Sequence, residues 1–229
     1  MADSASSCRA IILCGGKGER LRPLTTEIPK PLIPIRGRPI LSYILEHLKR
    51  SRITDVIVCT GHKSKKIEEY FTITPHAFSV RLVDSGDVDI MKRIQDASIY
   101  ITGDFLLLYG DTLSNVNLEE MIQFHRSRQE KATVTAWPLR SQFGILDLDA
   151  NDRVTSFTEK PTLDKWINIG YFYFDFEVLD WMHGFERFED FLQYIVDRGE
   201  LNAFKHTGVH ITVNTLKELE TAEDNIEHI

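Results

Sequence analysis

The sequence predicts an α/β fold: a Rossmann-like, doubly wound mixed sheet, mostly parallel, with antiparallel additions in its second half. Short apolar runs alternate with helical periodicities over residues 9–128, the pattern that strand–helix–strand crossovers produce. From Lys131 onward strand-like runs follow one another with few helices between them. The chain has 229 residues, 42% of them hydrophobic, enough to bury the core of one large domain. No repeat or Pro/Gly/Ser linker divides it, so residues 9–229 are expected to form one domain after a disordered tail at 1–8.

Arg9 to Cys14 is a short apolar run stopping at Gly15-Gly16, as a buried strand entering a loop does. Ile40, Leu41, Ile44, Leu45 and Leu48 recur at helical spacing. The β-branched run Asp55 to Thr60 reads as a strand, and Lys63 to Phe71 as a helix with Ile67, Tyr70 and Phe71 on one face. Ser79 to Val83 and Phe105 to Tyr109 are two further strands, the second apolar enough to be covered on both faces. Leu118 to Arg128 is a helix over the sheet. Ala132 to Trp137, Gly144 to Leu148, Val154 to Phe157 and Ile169 to Phe174 are the later strands, expected to wall one side of a site. A helix at Phe188 to Asp197, strands near Ala203 to Lys205 and Val209 to Val213, and a closing helix from Thr215 complete the reading. Asn214 or Thr215 can cap that helix, with Glu218 placed for a capping box.

Net charge is −7 with both signs mixed along the chain, which gives no basic face for nucleic acid. No apolar run reaches membrane-spanning length, and Met1 to Ser7 reads as a frayed tail rather than a signal peptide. Three cysteines, Cys8, Cys14 and Cys59, two of them in apolar runs, suit a reducing cytoplasm. The eight histidines fit no zinc spacing. His183 and His206 read as surface or turn residues, and Trp137, Trp166 and Trp181 as packing, with Trp166 a candidate border of the pocket.

The densest chemical signal runs from Gly15-Gly16-Lys17-Gly18-Glu19-Arg20 through Pro29-Lys30-Pro31. Glycines following a strand let backbone N–H groups close around a polyphosphate. Arg20 can grip phosphate oxygens bidentately and Lys30 adds a compact charge. A Walker A loop is excluded, because Glu19 and Arg20 stand where Lys and Ser/Thr are needed. A dinucleotide fingerprint is excluded because Leu21 stands at its third glycine. Gly110-Asp111 follows the predicted central strand, where α/β sheets collect ligands.

These letters are similar to the signature loop of the sugar-1-phosphate nucleotidyltransferases, and the chain resembles that family over about Arg9 to Glu220, most closely its glucose-1-phosphate cytidylyltransferase-like branch. The resemblance implies the nucleotide-diphospho-sugar transferase type of fold. It also implies a nucleotide site at Leu13, Gly15, Gly16, Gly18, Arg20, Lys30, Arg93 and Gly110, with Arg20, Lys30 and Asp111 catalytic. Phe143-Gly144, Glu159-Lys160-Pro161 and Trp166 to Gly170 are similar to the family's sugar-phosphate half. They imply sugar-phosphate contacts from Gly144, Glu159, Lys160, Asn168 and Gly170. Mg2+ is the implied cofactor, held by Asp111 and by Asn214, which stands where the family has a second aspartate. Asn214 is equally readable as a helix cap. The base-reading segment of the family is shortened here to Asp84–Ile94, where Arg93 either replaces that segment's arginine or is an ordinary helix charge.

The implied partners are a nucleoside triphosphate (CTP favoured, with dTTP, UTP and GTP open) and a sugar 1-phosphate. The reaction gives an NDP-sugar and pyrophosphate by positioning and charge neutralisation. Neither nucleic acid nor membrane is expected, and homo-oligomers stay open. A heptose phosphate or a non-sugar phosphate or phosphonate acceptor is the alternative within the fold, and a nucleotide- or sugar-phosphate-binding regulatory protein weakened by Asn214 the alternative outside catalysis.

Overall fold

The computed structural model describes residues 8–229; the expected tail Met1–Ser7 lies outside them. Cys8, counted with that tail, is half-buried and packs against the core. The first half carries β1 (Arg9–Leu13), α1 (Leu24–Glu27), β2 (Pro34–Ile35), β3 (Arg38–Pro39), α2 (Ile40–Arg50), β4 (Asp55–Thr60), α3 (Ser64–Ile73), β5 (Ser79–Asp84), α4 (Ile90–Ser98), β6 (Phe105–Tyr109), β7 (Thr112–Ser114) and α5 (Leu118–Arg126). The second half carries β8 (Ala132–Arg140), β9 (Ile145–Leu148), β10 (Val154–Thr158), β11 (Thr162–Phe174), α6 (Val178–Trp181), α7 (Phe188–Asp197), β12 (Leu201–Lys205), β13 (His210–Thr212) and α8 (Leu216–Asn225). None of the described helices is long and apolar enough to cross a membrane.

Seven strands form one sheet in the order β12-β8-β11-β6-β1-β4-β5. β6, β1, β4 and β5 are mutually parallel, while β11 runs antiparallel between β6 and β8. The antiparallel addition expected in the second half is β11, and β12 is parallel to β8. β12 starts at the end of the sheet where β11 finishes, with α6 and α7 between them. The chain winds outward from β1 to β4 and β5, then returns to β6 on the other side of β1. The loops leaving the carboxyl ends of β1 and β6 therefore diverge and leave a crevice, the usual ligand position in such sheets.

Alternation along the strands divides the core. Ala10, Ile12, Leu106, Leu108, Tyr171 and Tyr173 pack with α2, α5 and α8 on one face. Ile11, Phe105, Leu107, Phe172 and Phe174 pack with α4, α6 and α7 on the other. Phe105 to Leu108 are all fully buried, as an apolar run covered on both faces requires.

Three features differ from the sequence reading. The helix α4, present there only as one alternative for Arg93, runs Ile90–Ser98, and Asp89 caps it by accepting the Met91 N–H at 3.0 Å. β11 begins at Thr162 rather than Ile169, because its exposed first half pairs with an extension of β8 as far as Arg140. β8 points the same way as β6, so this two-stranded arm projects beyond the carboxyl ends of the central strands. β9 and β10 form a separate exposed ribbon at its tip.

Candidate active site

The crevice is built by backbone before side chains enter it. Gly110 N–H donates to Leu13 O at 3.0 Å, and Cys14 N–H donates to Cys59 O at 2.8 Å. A Cβ on Gly110 would stand 2.6 Å from Leu13 O and 2.8 Å from Cys14 Sγ, so β1 and β6 meet this closely only with glycine there. Gly18 has φ +63° and begins the turn Glu19–Leu21, a left-handed position that favours glycine. The Thr25 hydroxyl donates to Gly18 O at 2.9 Å and fixes that turn.

β7 pairs with β13 in the register Thr112↔Thr212. That pairing carries Asp111 and Asn214, 103 positions apart in number, to the same end of a two-stranded ladder. Lys30 Nζ donates to Asp111 Oδ2 at 2.5 Å and to Asn214 Oδ1 at 2.9 Å. Arg20 Nη2 donates to the same Asn214 oxygen at 3.1 Å. Lys30 is 8% exposed, whereas the Asp111 side chain is 34% exposed and faces the cleft. The helix-cap alternative for Asn214 is thereby resolved. Thr215 Oγ1 accepts the Glu218 N–H at 3.2 Å and caps α8, while Glu218 accepts the Asn214 N–H at 2.6 Å. The Asn214 side chain is left free to face Lys30 and Arg20.

Gly15, Gly16, Gly18, Arg20, Lys30, Arg93, Asp111 and Asn214 line a cleft of about 560 Å³. An adjoining hollow of about 330 Å³ adds Leu13, Tyr109 and Gly110 from the same predicted set and its surroundings. All the residues expected on the nucleotide side thus converge. Arg93 does so differently from expectation. It is 4% exposed and its guanidinium donates to Thr60 O at 2.6 Å, Val88 O at 2.9 Å and Gly15 O at 3.1 Å. It is neither an ordinary surface charge nor a free phosphate ligand.

The sugar-side residues divide into two groups. Asn168 and Gly170 stand on β11 behind Tyr109, which lines the hollow, and neither lines the cleft itself; Asn168 Oδ1 accepts the Gly170 N–H at 2.7 Å. Gly170, at φ +76°, lies against the Tyr109 ring, and a Cβ there would approach it to 2.5 Å. Burial pushes the Tyr109 hydroxyl up to about 12. Gly144, Glu159 and Lys160 lie on the projecting arm. Gly144 sits under the Phe157 ring and close to Glu159, where a Cβ would stand 3.0 Å from Oε2. Lys160 and Glu159 are exposed and 3.8 Å apart, and neither is among the residues lining the cleft. Trp166 is exposed on the same arm, under the Lys205 ammonium at 4.8 Å.

The donors available to a metal are the Asp111 carboxylate and the Asn214 amide oxygen, both hard and both turned toward Lys30. A single carboxylate with neutral oxygens suits Mg2+, which is held by one or two carboxylates plus substrate phosphates. No group of three or more His, Cys, Asp or Glu side chains is placed to hold a metal among the described residues. Cys14 and Cys59 are buried and burial pushes both thiols upward, Cys59 to about 12, so neither is a nucleophile near neutrality.

Sequence reasoning missed Lys17 with Asp87, an exposed ion pair of 2.6 Å across the cleft mouth, and Val88, Asp89 and Ile90, which line its inner end. The signal for the latter was present: an Asp directly before Ile90-Met91 is a helix-start pattern.

A family model described as nucleotidyl transferase matches residues 9–224. The chain is 35% identical to a Bacillus subtilis (strain 168) protein named "Probable glucose-1-phosphate cytidylyltransferase", with 92% of this chain and 93% of that one covered. It is 34% identical to the glucose-1-phosphate cytidylyltransferase of Salmonella typhi, with 92% of each covered. Among solved structures, HddC from Yersinia pseudotuberculosis matches with a TM-score of 0.75 at 22% identity, over 96% of this chain and 99% of that one, which bears on the fold alone.

Proposed function

Because the chain belongs to the nucleotidyl transferase family, we propose that it transfers the nucleoside monophosphate of a nucleoside triphosphate to a sugar 1-phosphate, releasing pyrophosphate. CTP and glucose 1-phosphate are the favoured substrates, by likeness to relatives named for that pair. The reading extends to one domain working in a reducing, cytoplasmic setting, in keeping with three free thiols.

The observation that carries the site assignment is the Lys30 ammonium, held between Asp111 and Asn214 beside Arg20. It sits where the winding of the sheet reverses. In the proposed reaction a phosphate oxygen of the sugar 1-phosphate attacks the α-phosphorus in line. The bond to the bridging oxygen breaks and its electron pair leaves with pyrophosphate. The attacking oxygen is already ionised at neutral pH, so no general base is needed. Lys30 and Arg20 hold the triphosphate and offset the charge that gathers on its oxygens. Gly18 and its neighbours offer backbone N–H groups without side-chain obstruction. Asp111 and Asn214 would hold Mg2+, whose chemistry here is charge neutralisation on the phosphates. Asn168 and Gly170 shape the acceptor side next to Tyr109, while from the arm Glu159 would bind the sugar hydroxyls and Lys160 the sugar phosphate.

The test is pyrophosphate release with Mg2+, four nucleoside triphosphates and a panel of sugar 1-phosphates, run beside Lys30→Met. Release that requires one triphosphate, one acceptor and Lys30 supports the reading. A panel in which no combination releases pyrophosphate, although nucleotides bind, overturns it in favour of a binding protein.

A further inference from the structure

Arg93 is a cation with almost no access to water. Its guanidinium is hydrogen-bonded to three main-chain carbonyls and makes no ion pair among the described residues. The three acceptors belong to three separate pieces of the nucleotide side. Gly15 lies in the glycine-rich loop, Thr60 ends β4, and Val88 lies in the segment between β5 and α4. A buried charge without a counter-charge is costly unless its surroundings hold it by hydrogen bonds, and the planar fork of arginine spreads its donors in fixed directions, whereas the three donors of lysine leave a single nitrogen.

The glycines around it have the shape of its socket. A Cβ on Gly15 would stand 1.9 Å from Arg93 Nη1, and one on Gly61 would stand 2.3 Å from the same atom. Gly16, by contrast, has nothing within 4 Å of its Cβ position. The first glycine of the loop is therefore required by the arginine behind it, and the second is the one left open to a ligand.

We propose that Arg93 is a positioning residue for the triphosphate. It fixes the glycine-rich loop against β4 and the Val88 segment. This rests on the nucleotide site assigned above, so the test measures binding and needs no turnover.

Equilibrium dissociation constants for CTP and for glucose 1-phosphate are compared in wild type, Arg93→Ala, Arg93→Met and Arg93→Lys, with folding checked by circular dichroism. Expected is a rise in the CTP constant of about tenfold or more in the alanine and methionine variants, with the glucose 1-phosphate constant moving about twofold at most. Millimolar guanidinium is expected to tighten CTP binding by Arg93→Ala, which has an empty socket, and to leave Arg93→Met, whose socket is filled, unchanged. A folded variant that binds CTP as wild type does, or one in which both constants rise together, overturns the proposal. Should the alanine variant not fold, Arg93→Lys decides: weaker CTP binding alone supports the proposal and unchanged binding overturns it. A wild type that binds no nucleoside triphosphate at all refutes instead the assignment of the site.

Discussion

Replacing Lys30 by methionine removes one charge while keeping the length of the side chain. The structure sets the size of the effect through two quantities. Lys30 is 8% exposed and its ammonium has two fixed acceptors, Asp111 at 2.5 Å and Asn214 at 2.9 Å, so it is preorganised. A preorganised donor aimed at developing charge is worth about 3 kcal/mol, or ~10²-fold in rate, and kcat/KM for pyrophosphate release is expected to fall by about that factor. Stability should barely change. The Asp111 side chain is 34% exposed, so water takes the place of the ammonium, and the loss of a pair of this exposure is at most about 1 kcal/mol. For a chain of this size that is a Tm shift of about 2–4 °C. The assay is a pyrophosphate-coupled kcat/KM measurement beside thermal unfolding of the same preparation. A fall in kcat/KM of less than about threefold would refute the placement of Lys30 on the triphosphate. A Tm drop of more than about 10 °C would show instead that the pair holds the fold.

Three further outcomes follow from other parts of the molecule. Gly170→Ala places a Cβ in left-handed backbone and 2.5 Å from the Tyr109 ring; a loss of about 2–4 kcal/mol in urea unfolding is expected, and an unchanged midpoint would show that β11 yields at this point. Burial depresses His210 from its ordinary 6.5 to about 4, so the folded state favours the neutral ring. The resulting stability is complete above about pH 6.5, falls as pH drops toward 4 and then levels, because the unfolded chain takes up its proton first. His210→Phe, which keeps a ring against Trp137, is expected to flatten that part of the urea-derived stability curve, and an unaltered slope between pH 6.5 and 4 would assign the effect to other groups. Asn214→Asp supplies a second carboxylate beside Lys30 and Arg20; it is expected to lower the Mg2+ concentration for half-maximal activity by roughly an order of magnitude, and an unshifted Mg2+ titration would remove Asn214 from the metal site.

The central strands were legible because their burial needs no knowledge of partners. Arg9–Leu13, Asp55–Thr60 and Phe105–Tyr109 are apolar on both faces, and a short β-branched or apolar run ending in glycine suffices to find them. The cap of α8 was equally local, since Thr215 and Glu218 are three positions apart. What escaped was decided by distant neighbours. Arg93 faces the core of α4 together with Met91, Ile94 and Ala97, so the buried side of that helix carries a cation and its apolar stripe is broken in the sequence. The first half of β11 is exposed and held by β8 alone, and its Asp164 and Lys165 carry no strand signal. Gly15 was assigned to phosphate because a loop glycine has no visible neighbours in one dimension, and only the fold reveals the guanidinium in the place of its side chain. Asn214 reads as a cap from spacing, because the groups it faces are 184 and 194 positions away.

That last separation sets the order in which a growing chain can finish its cleft. After Lys30 is made, the ribosome must add 184 more residues before Asn214 exists to accept its hydrogen bond, which at about 5–20 residues per second takes roughly 10–40 s. Through that interval Lys30, Arg20 and the glycine-rich loop are already synthesised, but the oxygen that draws both cations together is not. The β7–β13 ladder and α8 close the site from the far end of translation. A chain still tethered before that point carries the glycine-rich loop without the completed charge cluster.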